Sequence, residues 1–147
     1  MQYAFTKEIL AEKFNAFNDR FFSGELVAPR FRVGRGARLL GSYGRGVLTV
    51  SAYWDVPEDE INKVLLHEMI HVWQAQTLGK ADHGRSFKIK AAEINAATGY
   101  DIARLTSREG YQPAMKPRKK TSRRRTYVIK KKCAKDGLLH ILMEIFS

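Results

Sequence analysis

His67-Glu68-Met69-Ile70-His71 is the stretch of this sequence whose residue types and spacing could do chemistry. A four-residue step is just over one α-helical turn, so His67 and His71 leave the same helix face from adjacent turns. Two imidazoles so placed can both reach one zinc ion at about 2.0–2.1 Å. Glu68 would project beside the metal and take a proton from a zinc-bound water. A hydrolytic zinc site keeps three protein ligands and one open position. His83, Asp82, Glu93 and His140 are the candidates for the third ligand. His83 is favoured: it follows His71 by twelve residues in a loop that can fold back across the helix. Gly84 beside it allows close backbone approach. Asp82 reads better as an acceptor for a ligand imidazole, Glu93 as a surface residue and His140 as a packed histidine. Tyr43, Arg85 and Tyr111 are possible donors to an oxyanion, with nothing in the sequence to place them.

The motif needs elements to hold it. Leu10, Phe14, Phe17 and Phe21 recur at helical period, which predicts an amphipathic helix over 6–22 with Thr6 as its N-cap. Phe31-Arg32-Val33 predicts a short strand, and residues 39–51 a hairpin turning at Gly44-Arg45-Gly46. Pro57, followed by Glu58, Asp59 and Glu60, opens a helix that carries the histidines and stops near Gly79. A further helix is expected from about Ser86 to Thr98, ended by Gly99. Beyond it, Lys135-Asp136-Gly137 between two apolar stretches signals a hairpin, with a helix over 138–146 as the alternative.

His67-Glu68-Met69-Ile70-His71 followed by His83-Gly84-Arg85-Ser86-Phe87 resembles the SprT-like, or Spartan-type, zinc metalloproteases, whose site reads HExxH and then HGxxF. Phe17-Asn18-Asp19-Arg20-Phe21-Phe22-Ser23-Gly24-Glu25-Leu26 is similar to that family's FN-x-x-FF-x-G-x-L stretch. The resemblance covers residues 8–105. It implies an α+β, zincin-like metalloprotease domain, with a small antiparallel sheet packed on the helices that carry HExxH. It also implies one catalytic Zn2+ held by His67, His71 and His83, with Glu68 as general base. Eukaryotic members cleave proteins crosslinked to DNA and are activated by DNA. Many members carry a cysteine-rich zinc ribbon after the protease domain. This chain offers only Cys133 there, so its C-terminal piece cannot be a four-cysteine ribbon.

The whole chain of 147 residues has a net charge of +11, and the charge is concentrated. Residues 1–115 carry 15 basic and 13 acidic side chains, whereas residues 116–132 carry 10 basic and none acidic. Such a segment meets polyanions, because counterion release from phosphates drives binding. Lys116, Arg118, Lys119, Lys120, Arg123, Arg124, Arg125, Lys130, Lys131 and Lys132 are therefore the expected DNA contacts. The expected organisation is a protease domain over 1–112, a basic linker over 113–125 and a hairpin-like extension over 126–147. One cysteine excludes a disulfide framework within the chain. Lys7 and Glu8 interrupt the start of the chain where a signal peptide needs an apolar run. No stretch is long and apolar enough for a membrane span. The expectation is a cytoplasmic or nucleoid-associated enzyme, nuclear if eukaryotic, with a protein substrate, DNA as a partner and no membrane. Two other readings compete: another intracellular HExxH peptidase of the repressor-cleaving ImmA type, and a DNA-binding module whose zinc is structural.

Overall fold

The computed structural model describes residues 3–104 and 111–114, and the backbone of 130–133 and 139–142. The chain divides into two compact units, Met1–Lys116 and Pro117–Ser147.

In the first unit, α1 (Lys7–Phe21) starts where Thr6 accepts from the Ile9 N–H at 3.3 Å. Its apolar stripe buries Leu10 and Phe14 completely. Asn18 ends that stripe and is buried for a different reason. Its side chain accepts from the Leu26 N–H at 3.1 Å and donates to the Leu26 carbonyl at 3.0 Å. That double bond ties down the turn through Ser23 and Gly24, both left-handed, and seats Phe22 and Leu26 in the core. The stretch Phe17–Leu26 is thus a structural clasp.

Three strands follow: β1 (Arg30–Gly34), β2 (Gly41–Gly44) and β3 (Val47–Ser51), in the order β1-β3-β2. Arg45 and Gly46, both at positive φ, close the hairpin between β2 and β3, the geometry whose twist matches two paired strands. The sheet differs from the all-antiparallel one expected. β1 runs parallel to β3, from Arg30↔Val47 to Gly34↔Ser51. The reason is the loop 35–40, which carries the chain past the end of β3 to the far edge of the sheet. The hairpin's returning strand then fills the centre and faces β1 in the same direction. Ser51 Oγ donates to the Gly36 carbonyl at 2.7 Å and Trp54 Nε1 to the Ala37 carbonyl at 3.1 Å, pinning that loop.

After β4 (Trp54–Asp55) comes α2 (Glu58–Leu78), the central element. Pro57 sits one place earlier than the first turn, as the N-cap residue, and Gly79 ends the helix at φ 71°. Every residue from Val64 to Val72 is buried. A helix enclosed on all sides is a core helix, and polar residues on it are buried by position. Lys13 Nζ links α1 to it, at 2.7 Å from Glu58 and 2.9 Å from Asn62. α3 (Arg85–Thr98) packs Phe87, Ala91 and Ile94 inward and ends at Gly99, φ 76°. The short β5 (Gln112–Pro113) pairs antiparallel with β4, so Pro113, expected in the linker, is held by the body.

In the second unit, β6 (Lys130–Cys133) pairs antiparallel with β7 (Leu139–Leu142). This is the hairpin alternative; Lys135, Asp136 and Gly137, expected at its turn, lie outside the described residues.

Candidate metal centre

α2 presents His67 and His71 one turn apart, and the loop after Gly79 brings His83 back to meet them. The three Nε2 atoms form a triangle with edges of 3.3 Å (His67–His71), 3.2 Å (His71–His83) and 3.2 Å (His67–His83). Ligands about 2.0–2.1 Å from a tetrahedral ion stand about 3.3–3.4 Å apart. Three imidazoles cannot all donate to and accept from one another around such a triangle, whereas three converging lone pairs are what a cation requires. The cluster could therefore hold a metal ion.

Phe87, on the first turn of α3, is the floor of this cluster. Its ring centroid lies 4.8, 5.2 and 5.0 Å from those of His67, His71 and His83. The phenylalanine four residues after His83 thus fixes ring orientation by packing.

Gln74 holds the cluster from behind. It has no solvent exposure, and its Oε1 lies 2.9 Å from His71 Nδ1 and 3.2 Å from the Asp82 backbone nitrogen. A backbone N–H only donates, so Oε1 must face it. His71 Nδ1 then carries a hydrogen and donates to the same oxygen, leaving Nε2 with its lone pair toward the cluster. The Gln74 amide donates to Ser86 Oγ at 2.9 Å and Asp82 Oδ1 at 3.3 Å. Asp82 Oδ1 also accepts from the Gly84 N–H at 3.0 Å, chiefly for which its carboxyl lies below the ordinary range. One glutamine therefore joins the histidine helix, the His83 loop and the start of α3.

Glu68 is 6% exposed. Burial pushes its carboxyl up to about 7. Gly41 makes room for it: a Cβ there would stand 3.2 Å from Glu68 Cγ and Oε1 and 2.6 Å from Val64 Cγ1. His67 is pulled down to about 4, by burial first and then by His71 and His83. His83 is lowered as well, by burial, His71 and Arg104. These shifts favour the neutral form of the His67 and His83 rings, the form that ligates.

The cluster opens into a cavity of about 420 Å3 lined by β2, the loop before it and Arg104, with Arg38, Leu39 and Tyr43 on its wall. The other candidates lie elsewhere. Asp82 supports Gln74, and Glu93 is exposed beside Lys90 at 3.5 Å. His140 belongs to β7, described as backbone alone. Of the possible donors to an oxyanion, Tyr43 lines the cavity, whereas Arg85 and Tyr111 are not among the described residues that do. Lys116, Arg118, Lys119, Lys120, Arg123, Arg124 and Arg125 lie outside the described residues, and Lys130, Lys131 and Lys132 are backbone positions of β6.

The residues that sequence reasoning missed are Gln74, Arg38 and Arg104. Gln74 had a signal: His67, His71 and Gln74 are spaced i, i+4, i+7 on one helix stripe. The two arginines had none, because loop residues reach the cavity only through the tertiary fold.

The α+β first unit, with two small sheets and a cluster of two buried histidines and one half-buried histidine at a cleft, has the form of a protein that could hold a metal ion, and comparison with known families narrows it further. The profile of the SprT-like family matches residues 10–108, about two-thirds of the chain, so the chain belongs to the SprT-like family. Among curated proteins none matches. Membership suggests a metallopeptidase-like role. Among the described residues no helix is long and apolar enough to cross a membrane.

Proposed function

We propose that this chain is a zinc-dependent endopeptidase acting on DNA-associated or DNA-crosslinked proteins. The observation that carries the reading is the Nε2 triangle with Glu68 next in sequence to one of its corners. His67, His71 and His83 would hold the ion. Zinc, when bound, supplies Lewis acidity toward a scissile carbonyl and lowers the pKa of a water toward about 7. Glu68 accepts a proton from the attacking water and returns it to the leaving amine. Its carboxyl, raised toward neutrality by burial, is matched to both halves of that task. Gln74 and Phe87 hold the imidazoles in place without reorganisation during the reaction. A purely structural zinc site has no use for a carboxylate beside a ligand, which favours the enzyme over the binding module. The DNA part of the reading rests on the ten basic residues of 116–132.

Replacing Glu68 with glutamine separates metal binding from chemistry. Glu68→Gln should keep one metal ion per chain and lose at least about a hundredfold in cleavage of an unfolded protein substrate. Cleavage at the parent rate would overturn the assignment.

A further inference from the structure

Residues 26–54 contain Arg30, Arg32, Arg35, Arg38 and Arg45, with no lysine and no acidic residue. Elsewhere in residues 1–115 there are ten basic against thirteen acidic side chains. The near-neutral body is therefore two regions of opposite sign, and the positive one is the β1-β3-β2 sheet with its loops.

The fold turns Arg30 and Arg32 to the side of the sheet away from the helices and sets Arg45 at the turn between β2 and β3. Phe31 and Val33 pack against the core, Phe31 edge-on to Phe14 at 5.4 Å. Strand alternation turns Arg30 and Arg32 to the other face. Their neighbours in register there are Val47 and Thr49 on β3, then Gly44 and Ser42 on β2, none of them large. The Arg30 N–H donates to the Gly46 carbonyl at 2.9 Å, which puts the turn bearing Arg45 beside Arg30. At the other end Arg35 follows β1, and Arg38 lines the cavity of the histidines. All five arginines are exposed, and among the described residues none has an ion pair. Lys13, Lys63, Lys80 and Lys90 are each paired with a carboxylate. The body thus neutralises several of its lysines and leaves these arginines free.

From this arrangement we propose that the outer face of the β1-β3-β2 sheet binds the phosphate backbone of duplex nucleic acid, independently of sequence, and leads it to the cleft. Unpaired guanidinium groups repel one another until a polyanion meets them, and their planar forks fit phosphate oxygens bidentately. Arg30 to Arg35 spans about 16 Å at ~3.3 Å per residue, a length over which duplex DNA presents roughly ten phosphate charges. The face carries no aromatic ring for stacking on unpaired bases, since Tyr43 packs against the core. The described part of the face also lacks the large apolar side chains that would enter a lipid surface. Its link to proteolysis rests on the function proposed above: a protein bound to that duplex would be presented where Arg38 meets the histidines.

The test is a binding measurement on the full chain carrying Glu68→Gln, so proteolysis does not enter. Fluorescence anisotropy with a labelled duplex of arbitrary sequence gives affinity against salt. Arg30→Gln/Arg32→Gln/Arg45→Gln should lower the salt slope by about 2–3 and weaken binding about tenfold or more at low salt. The corresponding triple lysine variant should restore most of the slope, and thermal melts check that each variant folds. Unchanged slope and affinity would overturn the proposal. So would a glutamine variant that loses binding to anionic vesicles while keeping duplex affinity. A cleaving enzyme whose duplex binding ignores these arginines refutes the surface alone. A chain that never cleaves but loses the slope refutes the peptidase alone.

Discussion

Gln74 determines which nitrogen of His71 carries the hydrogen, and so which one is free for a metal. Gln74→Met keeps the volume and removes the acceptor, leaving the Asp82 N–H and His71 Nδ1 without their oxygen. Metal affinity should fall about 10–100-fold, and the metal-free protein should lose about 1–3 kcal/mol. Titration with a chelator of known affinity and a urea melt check both, and unchanged affinity would mean that packing alone positions the ring. Glu68 makes a second residue-scale prediction, for the metal-free protein. Its carboxyl is raised from 4.5 to about 7. Between those values the native state holds more protons than the unfolded chain, so this group's contribution falls as pH rises. His67, lowered from 6.5 to about 4, works in the opposite sense. It is common to both proteins, so it cancels when Glu68→Gln is compared with the parent. The variant should gain on the parent as pH rises from about 5 to 8, by an amount on the order of 3 kcal/mol. A stability difference that is flat with pH would contradict the buried, proton-holding carboxyl.

At the scale of elements, the contact between β2 and α2 sets the width of the cleft. Gly41 lets the strand backbone reach the helix beside Val64 and Glu68. Gly41→Ala has no room at 2.6 Å from Val64 Cγ1, so the Val64 side chain, the strand or the helix must move. The expected cost is about 1–3 kcal/mol, with cleavage reduced because Glu68 is displaced too. A melt and a rate measurement on the same preparation test this. A variant as stable and active as the parent would show that the strand can retreat freely. The Asn18 clasp belongs to the same scale: it fixes how α1 leads into the sheet.

For the whole molecule, the question is how much of the chain the metal centre needs. The body reaches beyond the histidine helices, because β5 pairs with β4 and the Ala114 N–H donates to the Tyr53 carbonyl at 2.6 Å. A chain ending at Lys116 should unfold in one cooperative transition and bind metal as the full chain does. Its duplex affinity should fall but persist, since the sheet arginines remain. A broad transition, or loss of metal, would show that the second unit supports the first.

The sequence by itself determined the local facts. The HExxH spacing put two imidazoles on one helix face, because a helix repeats every 3.6 residues. Gly79 and Gly99 ended helices, because left-handed backbone favours glycine. Gly44-Arg45-Gly46 closed a hairpin for a related reason. Only the tertiary structure decided what depends on residues far apart in the chain. It made the sheet mixed by seating β3 between β1 and β2. It turned Gln74 from one polar residue on an apolar stripe into the link between His71 and the His83 loop. It also brought Arg45 beside Arg30 and Arg32 at the outer face of the sheet and Arg38 to the cleft, though the chain's overall balance of charge had made the body look neutral. Helix period and backbone chirality are local and legible along the chain, whereas packing, burial and the meeting of charges arise from the folded arrangement.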